Sequence, residues 1–259
     1  MLLAPWGCAV MKFVRKIRVA ITPRRWLLKT KLSNGAVVYG RNRVGYGGRG
    51  IYIFRDALEP ELYHLDSFLD PNGIFVDIGA NTGVYTLKAA KHYDNKGIVL
   101  ALEPFPEVLA MLYHSVRVNG FTNIRLRNLC AGAQTGVRTL WMNSKKPNLS
   151  SLVHKSEKAS GLSVLTVSLD DLYTWENLER IDYLKIDAEG AEQEILSGAV
   201  KTIKKCRPII QVEISIRYFT IELPHYAIFQ ALGSPNMVYI PKEHRKIRVP
   251  ETIGWNKIQ

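Results

Sequence analysis

The sequence predicts an α/β domain built on a doubly wound, mostly parallel sheet. Three observations predict it. Short apolar segments alternate with helical ones beyond residue 50, those segments are nearly continuous in hydrophobicity, and a glycine-bearing turn joins the first of them to a helix. Strands that are apolar throughout are buried on both faces, as parallel strands between two helix layers must be. The 259 residues, 47% hydrophobic and 22% charged, suit one such domain with a modest arm and exclude wholesale disorder. No apolar run reaches the ~18 residues that a bilayer-spanning helix needs.

Charge sets the arm apart. Residues 1–50 carry eleven Lys and Arg and no acid, so of a net charge of +12 only +1 is left for the remainder. The expected organisation is therefore a basic N-terminal arm over residues 1–50, open to poor order, and a domain over 51–259. Gly45, Gly47, Gly48 and Gly50 form a flexible junction between them. Met1–Val10 is apolar, but its cations follow the apolar stretch, the reverse of a secretory signal. Together with Cys8, Cys130 and Cys206, which lack metal or redox spacing, this order points to a cytoplasmic protein. Translation from Met11 instead of Met1 would shorten the arm. Phe13, Val14, Ile17 and Ala20 recur at helical spacing among cations. Residues 11–31 thus read either as a peripheral contact with an anionic membrane or as a solvated terminus, and the commonness of such patterns favours the terminus. No recognisable nucleic-acid module follows, and nucleic acid is not an expected partner.

The elements follow in order. Glu59-Pro60-Glu61 opens a helix through Leu62, Leu65 and Leu69 that stops at Pro71-Asn72-Gly73. Ile74–Ile78 is the first buried strand, followed by a helix over Val84–His92, a strand over Ile98–Leu102, a helix over Pro106–Asn119 and a strand over Ile124–Asn128. Val137–Met142 and Ser163–Leu169 read as extra strands around a polar loop, Asn143–Ser160. Tyr183–Ile186 is again buried, Ala191, Ile195 and Ala199 line a helix, and Pro208–Ile214 is a further strand. Short strands near Met237–Ile240 and Lys246–Val249 close the chain.

Chemistry concentrates at four strand ends. In Val76–Gly83 a buried strand meets a helix through Gly79 and Gly83, which leave backbone bare, at a helix start expected to offer N–H groups. The spacing is G-x-N-x-G, not the G-x-G-x-x-G of dinucleotide sites, and it favours a nucleoside with an amino-acid tail over a pyrophosphate. Asp77 and Asn81 belong to the same run, Asp77 suiting a cationic ligand. Glu103, twenty residues beyond Gly83, would accept hydrogen bonds from ribose hydroxyls. Lys185–Glu192 gathers Asp187, Glu189 and Glu192, and Glu213 ends the following strand on the same edge. One such acid could simply cap a helix; several together point to a ligand or catalytic role for Asp187, Glu189 and Glu213. Ala131 and Cys130 are placed for an adenine by position only. His225, on a strand-edge loop, is the weaker candidate base.

Together these runs resemble the FkbM family of S-adenosylmethionine-dependent methyltransferases. The residues that carry the resemblance are Val76–Gly83 (VDIGANTG), Glu103-Pro104, Lys185–Glu192 (KIDAEGAE) and Val212-Glu213-Ile214, with Glu59-Pro60 and Ser168–Asp171 in support. The resemblance spans about residues 55–240 and implies a seven-stranded, mostly parallel Rossmann-like sheet whose last strand is antiparallel. It implies S-adenosylmethionine as cofactor, held by Asp77, Gly79, Asn81, Gly83, Glu103 and Ala131. It also implies O-methylation of a small-molecule or glycan hydroxyl, often a sugar or a glycosylated natural product or polysaccharide. Asp187 is the first candidate for the general base such a hydroxyl needs, with Glu189 and Glu213 in support, and the same carboxylates would suit a divalent metal. Asn143–Ser160 and the loop around Tyr218–Tyr226 are placed to shape the acceptor pocket. The rival readings are an NAD-dependent oxidoreductase of similar fold, since Glu103 would serve that ribose too, and a non-catalytic membrane-associated adaptor.

Overall fold

A computed structural model describes residues 5–143, 150–153, 160–214 and 223–258. Helix α1 (Pro5–Ile21) leads into a hairpin of β1 (Leu27–Lys31) and β2 (Val37–Arg41). The hairpin obeys the strand period of two: Leu28, Thr30 and Val38 are buried while their neighbours face out. Next come α2 (Gly48–Phe54), a single 3₁₀ turn over Arg55–Leu58, and α3 (Pro60–Phe68).

Polar clamps tie this basic segment to the domain. Asp56 accepts from the Ser33 N–H at 2.8 Å and from the buried Lys88 ammonium at 3.0 Å, joining the hairpin end to a domain helix. The Val37 N–H donates to the Asn119 side chain at 2.8 Å, and the Tyr39 N–H to the Ser115 hydroxyl at 3.0 Å. The glycines of residues 45–50, expected as a flexible junction, serve close packing instead: a Cβ on Gly40 would lie 2.4 Å from the Gly48 Cα.

The alternation then proceeds through β3 (Ile74–Ile78), α4 (Val84–Tyr93), β4 (Ile98–Leu102), α5 (Pro106–Asn119) and β5 (Ile124–Arg127). β6 (Cys130–Ala131), β7 (Gly136–Met142) and β8 (Ser160–Val167) form a separate three-stranded sheet, in the order β6-β8-β7. The chain continues with α6 (Leu169–Trp175), β9 (Tyr183–Ile186), α7 (Glu192–Ser197), α8 (Val200–Cys206), β10 (Ile209–Glu213), β11 (Tyr226–Gln230), β12 (Asn236–Pro241), α9 (Val249–Thr252) and β13 (Asn256–Lys257).

The main sheet is mixed and has eight strands, ordered β13-β11-β12-β10-β9-β3-β4-β5, a correction to the seven-stranded, mostly parallel expectation. β10, β9, β3, β4 and β5 pair in parallel; β12, β11 and β13 add antiparallel pairings at one edge. The cause is local. β11 and β12 are joined by a short connection, too short for the crossover a parallel pair requires. Three other differences change an element's kind or continuity. The strand expected over Lys246–Val249 is a turn entering α9, because Pro250 sits in that helix's first turn. The strand expected to reach Leu169 stops at Val167, since the Ser168 hydroxyl caps α6 by accepting from the Asp171 N–H. The helix through Ala191, Ile195 and Ala199 is broken into α7 and α8 at Gly198.

Side chains alternate across β3: Phe75 joins a core with α3, α4 and the hairpin residue Val38, while Ile74, Val76 and Ile78 join one on the opposite face with α6 and α7. Burial on both faces holds the strand ends of β3, β4 and β9 in fixed register, and those ends carry the site.

Candidate active site

The turn after β3 is set by sterics. Gly79, Asn81 and Gly83 have φ of 77°, 49° and 80°, the left-handed region. A Cβ on Gly79 would lie 1.8 Å from the Asp187 carbonyl oxygen, and one on Gly83 would lie 2.1 Å from the Leu112 side chain. The glycines therefore let the turn press against the β9 end and against α5. Its N–H groups are spent internally. Those of Gly79 and Ala80 donate to the Leu102 carbonyl, that of Asn81 to Glu103, that of Thr82 to the Asn81 side chain and that of Gly83 to Ala80. The expectation of free N–H groups here fails from Gly79 to Gly83, and with it the cradle a pyrophosphate would need.

Glu103, at the end of β4, is only 7% exposed. Its Oε2 accepts from the Asn81 N–H and its Oε1 from the Phe105 N–H, both at 2.8 Å, which fixes the carboxylate on the cavity wall with lone pairs to spare. Burial pushes its carboxyl up to about 7 against the pull of those two N–H groups.

The acids of Lys185–Glu192 lie at the end of β9, and Glu213 ends the neighbouring β10. Asp187 accepts from the Lys185 ammonium at 3.1 Å. Burial alone would raise its carboxyl, but Lys185 and a hydrogen bond with Glu213 hold it below the usual range. Glu213 is pushed up to about 9 by burial and by the neighbouring Asp187. Glu189 has φ of 51° and rests at about 7, raised by burial first and then by the charges of Asp187 and Glu192. Glu192 organises the turn: its Oε1 accepts from the N–H groups of Ala188 and Gly190, both at 3.1 Å.

These ends enclose a cavity of about 250 Å³ lined by Gly79, Asn81, Glu103, Ala131, Asp187, Glu189 and Glu213 among the predicted site residues. Asp77 and Gly83 lie outside it. Asp77 is fully buried; its Oδ2 accepts from the Thr86 hydroxyl at 2.6 Å, and the cation it faces is Lys185, at 3.8 Å. Lys185 also lies 5.0 Å above the Tyr85 ring and links Asp77 to Asp187, a role hidden in the sequence by its place inside a buried strand. His225 is not on the wall; its carbonyl accepts from Lys242 and Arg207. Sequence reasoning missed the apolar wall of Phe105, Val108 and Leu129, and also Leu140. Phe105 had a signal, since it follows Glu103-Pro104 at the start of a helix. Ser150 of the polar loop lines the cavity, but residues 144–149, 154–159 and 215–222 of the two expected acceptor loops lie outside the described residues. Among the described residues no group of three His, Cys, Asp or Glu is placed to hold a metal ion, so the metal considered for these carboxylates gains no support.

An α/β sheet with a buried carboxylate at one strand end, an apolar wall beside it and acids at the next strand ends is the architecture of a ligand-binding enzyme, with the cavity at the carboxyl ends of the strands. The profile of the methyltransferase FkbM domain matches residues 77–240, and the chain belongs to that family of methyltransferases. It is 25% identical over 169 residues to Methyltransferase 1 of Beauveria bassiana, covering 54% of this chain and 68% of that protein. It is 27% identical over 177 residues to methyltransferase sdnD of Sordaria araneosa, covering 57% and 68%. The crystal structure of a methyltransferase FkbM from Methylobacillus flagellatus KT aligns with TM-score 0.46 and 20% identity over 74% of this chain and 52% of that one; the chain spans about half the length of that solved relative. The family implies S-adenosylmethionine as methyl donor. The walls fit it: Glu103 retains acceptor capacity for hydroxyls, Phe105 and Leu129 offer an apolar face to a base, and the ionised Asp187 suits a cation.

Proposed function

We propose that this enzyme methylates a hydroxyl oxygen on a small molecule or glycan, the acceptor being a sugar or a glycosylated natural product or polysaccharide. The observation that carries the reading is Glu189, a cavity-wall carboxyl resting near 7 beside two other acids. An alcohol is protonated at neutral pH, and a carboxylate poised near 7 is suited to take its proton. Three acceptor carboxyls on one wall also match a polyhydroxylated ligand, which supports the sugar class that the resemblance implies.

When bound, the donor supplies a methyl group with a good thioether leaving group, so the protein's main task is alignment. Glu103 holds the ribose, with Gly79, Asn81 and Ala131 shaping the pocket around it. Asp187 was the first candidate base, but Lys185 and Glu213 already satisfy it and lower its basicity. It therefore serves as the fixed negative charge toward a cationic donor. Glu213 keeps its proton and holds Asp187 in place, and Glu189 takes the acceptor's proton.

Activity should rise with pH as Glu189 loses its proton through about 7. Glu189→Gln should lower kcat by about a hundredfold or more and abolish that limb of the pH profile; a retained limb would place the base elsewhere. A mass-spectrometric screen across glycans and glycosylated small molecules, read for a product heavier by one CH₂, should give O-methyl products. Methylation confined to nitrogen or carbon would overturn the hydroxyl assignment.

A further inference from the structure

Helix α1 is attached by the wrong face for an ordinary surface helix. The side turned to the domain carries Lys12, Arg15 and Val19. The Arg15 guanidinium donates to the Ile53 carbonyl at 3.1 Å, and the Lys12 ammonium lies 5.7 Å from the Phe54 ring centre. The helix end is anchored by the fully buried Asn42, whose Nδ2 donates to the Val19 carbonyl at 3.0 Å and the Thr22 carbonyl at 2.7 Å. Arg49 in turn donates to the Asn42 Oδ1 at 2.9 Å. This anchorage holds the helix in one orientation.

The opposite face is apolar and open to solvent. Val10, Phe13, Val14, Ile17 and Ile21 fall within an arc of about 100° at helical spacing, centred opposite Lys12, Arg15 and Val19. Phe13 is 63% exposed and Ile21 75%. Exposed Lys16 and Arg18 flank the stripe, and exposed Arg24, Arg25 and Trp26 continue past its end. A soluble helix turns such a stripe inward; here the polar side is docked and the apolar side displayed.

We propose that this face seats the enzyme on an anionic lipid surface. An apolar stripe edged by cations, with a Trp at its end, is the pattern of a helix lying in the membrane interface plane. Eleven cations without one acid over residues 1–50 match a negatively charged headgroup layer. The helix lies on the layer and does not cross it: no helix among the described residues is long and apolar enough to span. Pairing with a second copy is disfavoured by the same charges, since a twofold contact through the stripe would bring Lys16 and Arg18 against their counterparts with no acid in the segment to meet them.

Sedimentation of the full-length protein with phosphatidylcholine vesicles, and with vesicles of phosphatidylcholine and phosphatidylglycerol in equal parts, tests this. The protein should pellet with the anionic vesicles only, and less so at high salt. Phe13→Ser with Ile17→Ser, and separately Lys16→Glu with Arg18→Glu, should each weaken binding about tenfold or more while leaving the melting temperature and S-adenosylhomocysteine binding unchanged. Equal pelleting on neutral vesicles, no pelleting of the parent protein, or variants that still bind would each overturn the proposal. So would a concentration-dependent dimer, seen by sedimentation velocity without lipid and lost in the Phe13→Ser, Ile17→Ser protein.

Discussion

Asp187 and Glu213 shift in opposite directions because Lys185 donates its hydrogen bond to Asp187, while burial and the Asp187 charge dominate at Glu213. The ammonium keeps Asp187 ionised, and its charge in turn keeps the proton on Glu213. A carboxyl raised from 4.5 to about 9 on folding binds more protons in the folded than in the unfolded chain. Its contribution is thus intact at pH below 4.5 and is progressively lost as pH rises toward 9. Glu213→Gln removes this titration and keeps a donor toward Asp187. The variant's melting temperature should therefore gain on the parent's as pH rises from about 5 to about 8, by about 1 kcal/mol in stability after solvent screening. A gap constant with pH would place the proton elsewhere. Catalytic rate in this variant should stay near the parent's at neutral pH, because the amide keeps the contact that holds Asp187 in place.

At the scale of elements, the parallel strands were legible because burial on both faces leaves a nearly continuous apolar run. β3, β4, β9 and β10 all have that signature. β11 was not legible: Tyr226–Phe229 is apolar, but it follows a Pro-His pair that reads as loop. The alternation Lys246-Ile247-Arg248-Val249 imitates a half-buried strand, and only the fixed φ of Pro250 reveals the helix start. The glycine turn was legible in kind and misread in cause. Its glycines answer to Asp187 and Leu112 before they answer to a ligand. Gly79→Ala should therefore cost about 2–4 kcal/mol in denaturant unfolding, for the new Cβ meets backbone as well as an unfavourable φ. Gly83→Ala should cost less, because the obstructing Leu112 side chain can turn aside. The reverse order would show that the β9 contact is soft.

At the scale of the molecule, two apolar cores clamp the sheet and leave its strand ends to the ligand. Most of the candidate site's lining was legible, since Glu103, Asp187, Glu189 and Glu213 are acids at or just past the ends of apolar strands and line one cavity. Asp77 looked alike, one residue before the end of β3, but that one position turns it into the core toward Thr86 and Lys185. Leu140 escaped notice because it comes from the smaller sheet, far in sequence from the glycine motif. The orientation of α1 was also beyond sequence reading: periodicity gives a helix an apolar stripe but not the face by which it docks.

The central claim is that the carboxylate of Glu103 holds a nucleoside methyl donor on this wall. Isothermal titration of the folded, full-length protein with S-adenosylhomocysteine tests it most directly. Saturable, equimolar binding is expected, weakened in Glu103→Gln by about 1–3 kcal/mol, the worth of hydrogen bonds to a charged acceptor. No heat from the parent protein, or equal affinity in the variant, would contradict the account.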